Sequence, residues 1–295
     1  MRQTAPAKIN LHLRVAPLGP DGFHPVLTWM CTVALFDTLT FTLNQSTPGL
    51  RFRCDDVTLP TDGRNLVVRA TELLAPQRTD GLEIALEKRI PHGAGLGGGS
   101  SDAANTLVAL NRLLKLGRSV DDLSTLAAKL GSDVPFFLRG PSSVCTGRGE
   151  IVKPIGVPSV ARFAVLVLSK IHVPTPAVYR RFDEMKLGDP RAFKKQNEPD
   201  WRRWSQLGAE DLLPLLVNDL EPPAFSLEPR LARLHGQVQD LLTRPVRMSG
   251  SGSSLFTLFN DRADADKAAT EVTQRLPDVR AIAVELAPKA DHEGS

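Results

Sequence analysis

The sequence predicts an α+β protein in two domains, and three observations carry that prediction. Near the N-terminus apolar and polar residues alternate with the period of two that marks a strand, over 9–15, and apolar stretches at 26–33 and 37–43 continue it as an antiparallel meander. In the last third, a strand at 255–259, a helix over 263–275 and a strand at 280–286 follow the order of helices lying on one face of an antiparallel sheet. Between these regions the stretch 140–158, rich in Gly, Pro and Ser, brackets one short strand and is the candidate boundary. The 295 residues suffice for two such units, expected at 1–155 and 156–290 with a frayed tail at 291–295.

Each element has its own local cause. In the first strand Ile9, Leu11, Leu13 and Val15 alternate with Lys8, Asn10, His12 and Arg14, so Lys8 and Asn10 project from one polar face. Turn chemistry at 18–22 leads into the meander, and 66–74 reads as a helix closed by Pro76. Leu82, Ile84 and Leu86 alternate with Glu83, Ala85 and Glu87, which gives a strand that is polar on one side. Ala103, Ala104, Leu107, Leu110, Leu113 and Leu114 then recur at helical spacing. A second helix is capped by Ser119, carries Asp121 and Asp122 in its first turn and stops at Gly131. A continuous apolar strand at 163–168 precedes helical stretches near 176–185, 204–216 and 229–242, while the polar run 194–203 reads as a surface loop.

Composition bounds the function classes. With 42% hydrophobic and 23% charged residues the chain has an ordinary soluble composition, and a formal charge of +3 is too small to argue for nucleic acid, though it suits a small anionic ligand. Cys31, Cys54 and Cys145 are far apart and lack the spacing of a metal site, so neither disulfides nor zinc is expected and a reducing, cytoplasmic setting fits. No apolar run reaches the roughly 18 residues of a membrane span, and no signal-peptide layout opens the chain. The expectation is therefore an unprocessed protein that engages neither nucleic acid nor membrane. Nothing in the sequence sets its oligomeric state.

The stretch Pro91–Asp102 holds Gly93, Gly95, Gly97, Gly98 and Gly99 with Ser100 and Ser101, between a strand and a helix. Gly93, Gly95 and Gly98 satisfy the GxGxxG spacing literally, but the entering strand alternates instead of being apolar on both faces, which argues against a dinucleotide fold. No Gly-Lys-Ser or Gly-Lys-Thr closes the stretch as a P-loop would. What remains is a phosphate cradle, in which bare backbone N–H groups and a helix N-terminus face an anion. A second stretch, Ser249–Ser254, places Gly250, Ser251 and Gly252 before an apolar strand. Asp133 lies between a helix stop and the apolar Val134-Pro135-Phe136-Phe137, where a carboxylate needs a partner or a shifted pKa. Either Asp133 caps a turn, or it pairs with Lys8 to orient a substrate hydroxyl beside a cation that stabilises a transferring phosphoryl.

Taken together, Pro6–Leu11, Pro91–Ser101 and Met248–Gly252 resemble the three motifs of the GHMP kinases, in family order. Ser100–Ala104, Asp21–His24 and Gly131–Phe137 are most similar to the branch that phosphorylates the 2-hydroxyl of a cytidine diphosphate-bearing polyol in the non-mevalonate isoprenoid route. The resemblance runs from residue 2 to about 286. It implies an N-terminal domain like ribosomal protein S5 domain 2, a ferredoxin-like C-terminal domain, and ATP with Mg2+ in the cleft between them. The phosphates would lie on Gly93, Ala94, Gly95, Leu96, Gly97, Gly98, Gly99, Ser100 and Ser101, and the adenine near Asn65, Leu66 and Lys88. Asp133 would be the base, with Lys8 beside it. Asn10, Gly250, Ser251 and Gly252 would help hold a small-molecule substrate, its cytosine engaged by Phe23, His24 and Tyr179 through stacking and base-edge hydrogen bonds. His24 precedes Pro25, which favours an extended backbone able to offer its N–H and C=O. Other GHMP kinases supply a glutamate to magnesium, and no matching acid is found here, which leaves Ser100 or Ser101 as the protein contact. His92 replaces a residue that is often apolar in the family. Two other readings stand beside this one: a GHMP kinase for homoserine, mevalonate or a sugar, and a nucleotide-binding protein of the same fold without catalysis.

Overall fold

The computed structural model describes residues 1–44, 48–76 and 79–288. The tail expected at 291–295 lies outside the described residues. The first sheet contains β1 (Arg2–Val15), β2 (Val26–Leu43), β3 (Leu50–Cys54), β4 (Leu82–Glu87), β5 (Ser142–Thr146) and β6 (Ile151–Pro154). Along it the order is β3-β4-β2-β5-β6, with β1 paired to the other edge of β2. All these pairings are antiparallel except β3 with β4. The second sheet is antiparallel throughout, with order β10-β7-β9-β8, from β7 (Phe163–Ser169), β8 (Arg247–Met248), β9 (Leu255–Phe259) and β10 (Val279–Glu285). The last strand thus joins the second sheet.

Ten helices cover these sheets among the described residues: α1 (Leu66–Leu74), α2 (Gly98–Leu113), α3 (Val120–Leu130), α4 (Phe136–Arg139), α5 (Thr175–Glu184), α6 (Trp201–Trp204), α7 (Ala209–Leu212), α8 (Glu221–Leu227), α9 (Pro229–Leu242) and α10 (Arg262–Arg275). α1 starts where the Asn65 side chain accepts the Val67 N–H, and α3 where Ser119 and Asp122 exchange bonds in a capping box. α1, α2 and α3 bury Val67, Leu74, Leu107, Leu110 and Leu123 against Leu39, Phe41, Leu82 and Ile84 of the first sheet. Truncating one such leucine to alanine costs about 2–5 kcal/mol. α5, α8, α9 and α10 enclose a second core on one face of the second sheet, the ferredoxin-like arrangement. A third core, with Ile9, Leu11, Trp29, Leu166, Phe256 and Leu258, joins the two sheets.

Three differences from the sequence expectation have local causes. The stretches 26–33 and 37–43 are one strand, because the break in the pattern is a bulge: Pro6 pairs with Phe36 but Ala7 with Val33. The stretch 140–158 holds two strands rather than one, β5 and β6, joined at Gly147 and Gly149, both at positive φ. The helix expected over 204–216 is instead α7 and a 3-10 turn at Leu213–Leu215, since Pro214 removes a backbone donor. Among the described residues no helix is long and apolar enough to cross a membrane.

The free edge of β1 positions the site. Such an edge presents unpaired N–H and C=O groups that must find partners. Here Lys8 N–H donates to Leu96 C=O, Asn10 N–H to Ser249 Oγ, and Leu13 exchanges bonds with Val217 and Asp219. Both glycine stretches are therefore docked on one strand edge. They cover Lys8 and Asn10 on the polar face of β1 while Trp201 and Trp204 stand against His12, leaving the three only 3%, 5% and 5% exposed.

Candidate active site

The first glycine stretch leaves β4 and enters α2. Gly93, Gly95 and Gly97 have φ of 67°, 76° and 69°, in the left-handed region that a side chain disfavours. Gly97 is the helix N-cap and no side chain caps α2, so the helix presents backbone donors and the positive end of its dipole. This is no slack connector. Ala94 and Leu96 are buried, Ser254 N–H donates to Ala94 C=O, and Ser249 Oγ–H donates to Gly95 C=O at 2.9 Å. A Cβ on Gly95 would lie 2.1 Å from the Ser249 carbonyl oxygen.

The second stretch is fixed by Asn218, whose Nδ2 donates to Met248 C=O and Gly250 C=O, and by a 2.6 Å contact between the hydroxyls of Ser251 and Thr175. Gly250 approaches so closely that a Cβ there would stand 3.2 Å from Asn10 Oδ1. Gly252 turns away from the cleft toward Met248.

Lys8 joins these parts. Its Nζ donates to Asn10 Oδ1 at 2.6 Å and to Gly95 C=O at 3.0 Å, and lies 3.4 Å from Asp133 Oδ2. Asn10 is itself oriented, because its Nδ2 donates to Thr28 Oγ1. Asp133, on the turn between α3 and α4, keeps 37% of its side chain exposed toward the cleft. A buried cation beside a half-open carboxylate can align a hydroxyl and stabilise negative charge passing between them.

The cleft holds about 700 Å3 and its far end is aromatic. His24 stacks obliquely on Tyr179 at 5.2 Å and meets the edge of Phe182 at 5.6 Å. Its Nδ1 lies 2.9 Å from Ala16 C=O, which assigns the proton there, and Nε2 is 3.4 Å from Asp183 Oδ1. Phe23 stands 47% exposed under the Arg148 guanidinium, 3.6 Å from its ring. Burial, then the charge of Asp133, pushes the Tyr179 phenol up to about 12, so it remains a neutral donor.

The structure gathers Lys8, Asn10, Phe23, His24, Gly93, Gly95, Gly97, Asp133, Tyr179, Gly250 and Ser251 around this one cleft. Asn65, Leu66 and Lys88 lie apart from it. Asn65 caps α1, Leu66 sits beside Gly99, and the Lys88 ammonium turns inward to Asp37 and Asp102. Gly98 packs on Ile90 and Lys88, while Gly99 is exposed. Ser101 is wholly buried beside Asn105, so Ser100 is the hydroxyl of the pair with an open side. His92 is exposed and lies outside the residues lining the cleft. The bare glycine backbone fits phosphate. Among the described residues no group of three or more His, Cys, Asp or Glu could hold a metal ion.

Sequence reasoning missed Arg148, Asp183 and Asn218. Asp183 was within reach, since it lies four residues after Tyr179 and so on the same helix face. Arg148 sits between Gly147 and Gly149 with no local sign of Phe23, from which it is distant in sequence.

The chain matches the family described as GHMP kinases N terminal domain over residues 65–141, and that described as GHMP kinases C terminal over residues 191–278. It is 41% identical over 286 residues to 4-diphosphocytidyl-2-C-methyl-D-erythritol kinase of Synechococcus sp. (strain CC9902), covering 92% of each chain. It resembles a crystal structure of 4-(cytidine 5'-diphospho)-2C-methyl-D-erythritol kinase with a TM-score of 0.76 and 38% identity, over 98% of this chain and 100% of that one. A crystal structure of mevalonate kinase, 12% identical with a TM-score of 0.72 over 98% of this chain and 100% of the other, shares the fold alone.

Proposed function

The chain belongs to the GHMP kinases and is a small-molecule kinase, and we propose that it uses ATP to phosphorylate the 2-hydroxyl of 4-diphosphocytidyl-2-C-methyl-D-erythritol, giving the 2-phosphate and ADP. The product belongs to the non-mevalonate route to isoprenoid precursors, and the reading carries the cytoplasmic setting expected from the sequence. One observation supports it above others: the Lys8–Asp133 pair, 3.4 Å apart, lies in one cleft with the glycine loop and with His24 and Tyr179.

In this reading each group has a physical task. Backbone donors of the glycine loop and the start of α2 hold the phosphates, and Leu66 with Asn65 borders the nucleoside. Magnesium bound with the nucleotide would neutralise phosphate charge, with Ser100 as its protein contact. Asp133 accepts the hydrogen bond of the 2-hydroxyl and fixes its line of approach. Lys8, held by Asn10 and Gly95, faces the Asp133 carboxylate and stabilises charge on the transferring phosphoryl. The acceptor is a tertiary alcohol, hindered as a nucleophile, so alignment outweighs proton removal. Tyr179, His24 and Phe23 hold the cytosine, with Arg148 closing over Phe23.

The test is ADP release in a coupled assay with the cytidyl substrate, mevalonate and homoserine in parallel. Turnover with the cytidyl substrate alone is expected. Turnover with mevalonate or homoserine instead would move the chain to another GHMP activity, and ATP binding without ADP release from any acceptor would make it a non-catalytic member.

A further inference from the structure

The cleft does not account for one buried charge cluster. Asp37 on β2 is wholly buried; its Oδ1 accepts the N–H groups of Arg89 at 2.6 Å and Ile90 at 2.9 Å, and its Oδ2 binds Lys88 Nζ. The same ammonium donates to Asp102 Oδ2 at 2.8 Å, inside α2. Lys88, Arg89 and Ile90 begin the glycine loop, and Asp102 lies just past its end. Two carboxylates and one ammonium therefore tie both ends of the loop to one point on the sheet.

We propose that Asp37, Lys88 and Asp102 form a clamp that sets the position of the glycine loop and the N-terminus of α2, and through that position the affinity for nucleotide. The proposal rests on the kinase reading above. None of the three lines the cleft, so they act as positioning residues through the backbone. The first helical residue is seated directly on the clamp: a Cβ on Gly98 would lie 3.0 Å from Ile90 Cγ2 and 3.2 Å from Lys88 Nζ. A side chain at Gly98 has no room without displacing Ile90 or the Lys88 ammonium, so the start of α2 lies directly against the clamp. Buried ionisable groups are costly to desolvate and persist where their bonds fix a geometry. Burial outweighs the pull of Lys88 and pushes the Asp102 carboxyl up to about 7, which marks how enclosed the cluster is. An anion site built from backbone donors depends on their placement to within about an ångström, where a misplacement can cost about 10²-fold.

The test uses the full-length enzyme with Lys88→Met, Asp102→Ala and Asp102→Asn, and Leu107→Ala as a control that loosens the packing of α2 without touching the clamp. ADP dissociation constants are measured by titration calorimetry, and KM for ATP and for the cytidyl substrate by coupled assay. Lys88→Met and Asp102→Ala are expected to weaken ADP binding and raise KM for ATP by at least about tenfold, leaving KM for the cytidyl substrate within about twofold. Asp102→Asn, which can still accept from Lys88, should restore most of the loss. If Lys88→Met does not fold, Asp102→Ala and its rescue decide. Unchanged ADP affinity in the folded variants overturns the proposal, as does an equal rise in both KM values matched by Leu107→Ala. Because ADP binding is read directly, weakened binding beside a wild-type enzyme inactive on the cytidyl substrate would retain the clamp and remove the kinase reading instead.

Discussion

The Lys8 ammonium stands 3.4 Å from the Asp133 carboxylate, one almost wholly buried and the other open to the cleft. The separation is longer than a direct hydrogen bond, so the Asp133 carboxylate keeps lone pairs free on its open side. Asp133→Asn retains the shape but loses the acceptor charge. It is expected to lower kcat by about 10²-fold or more while ADP affinity stays within about twofold. Turnover at the wild-type level would remove Asp133 from the mechanism.

The aromatic end of the cleft should govern substrate choice rather than chemistry. Base stacking on an aromatic ring is worth about 1–3 kcal/mol, so Tyr179→Ala should raise KM for the cytidyl substrate by roughly tenfold to a hundredfold. Tyr179→Phe keeps the ring and should stay near wild type if stacking is its task. KM for ATP should not change in either variant. A Tyr179→Ala enzyme with unaltered KM for both substrates would return the residue to a packing role against His24 and α5.

Much of this site was legible because its signals are local. Alternation alone placed Lys8 and Asn10 on one face, and their side chains meet at 2.6 Å. Ser119 marked the start of α3 through its capping box, whereas Gly131 follows the last residue in extended backbone, at a φ of 170°, rather than as a left-handed cap. What brings Lys8, Gly95 and Gly250 together is the edge of β1 and its need for partners across more than two hundred residues. No periodicity reports that, and only the family resemblance anticipated it. The clamp was illegible for the same reason: Asp37 and Lys88 are 51 positions apart, and an aspartate in a strand carries no sign of the ammonium it faces. The resemblance set Lys88 beside the adenine, whereas its side chain is committed inward to two carboxylates.

Two glycines of one loop should behave oppositely when given a methyl group. Gly95→Ala forces a Cβ to 2.1 Å from the Ser249 carbonyl at a φ of +76°, so it should cost roughly 3 kcal/mol or more and undock both glycine stretches. Gly99→Ala meets only Leu66 Cδ1 at 3.7 Å and replaces a helical glycine. Its melting temperature should match or slightly exceed wild type, helix propensity contributing up to about 1 kcal/mol. If the nucleotide lies against the start of α2, the same variant should raise KM for ATP by about tenfold. Normal ATP kinetics in Gly99→Ala would shift the phosphates away from that turn.

His12 provides a pH test of the core under the site. Its ring lies 5.8 Å from Trp201 and 5.3 Å from Trp204, and Nδ1 accepts the Val217 N–H at 3.3 Å. Burial first, then the charges of Arg14 and Arg247, lowers its pKa to about 3 from 6.5. Between those values the unfolded chain binds a proton that the folded protein refuses. Stability attributable to His12 is therefore full above the unfolded pKa and is lost as pH falls toward the folded one, by at most about 1.4 kcal/mol per pH unit. His12→Asn keeps a neutral acceptor for Val217 and removes the titration. It should be the less stable protein near neutral pH, because it packs less well between the tryptophans, and the gap should close by about 1.6 kcal/mol between about pH 6.5 and pH 5. Urea unfolding of both proteins across that range measures the gap directly. A gap that stays constant would mean that the folded protein accepts the proton on His12 as readily as the unfolded chain does.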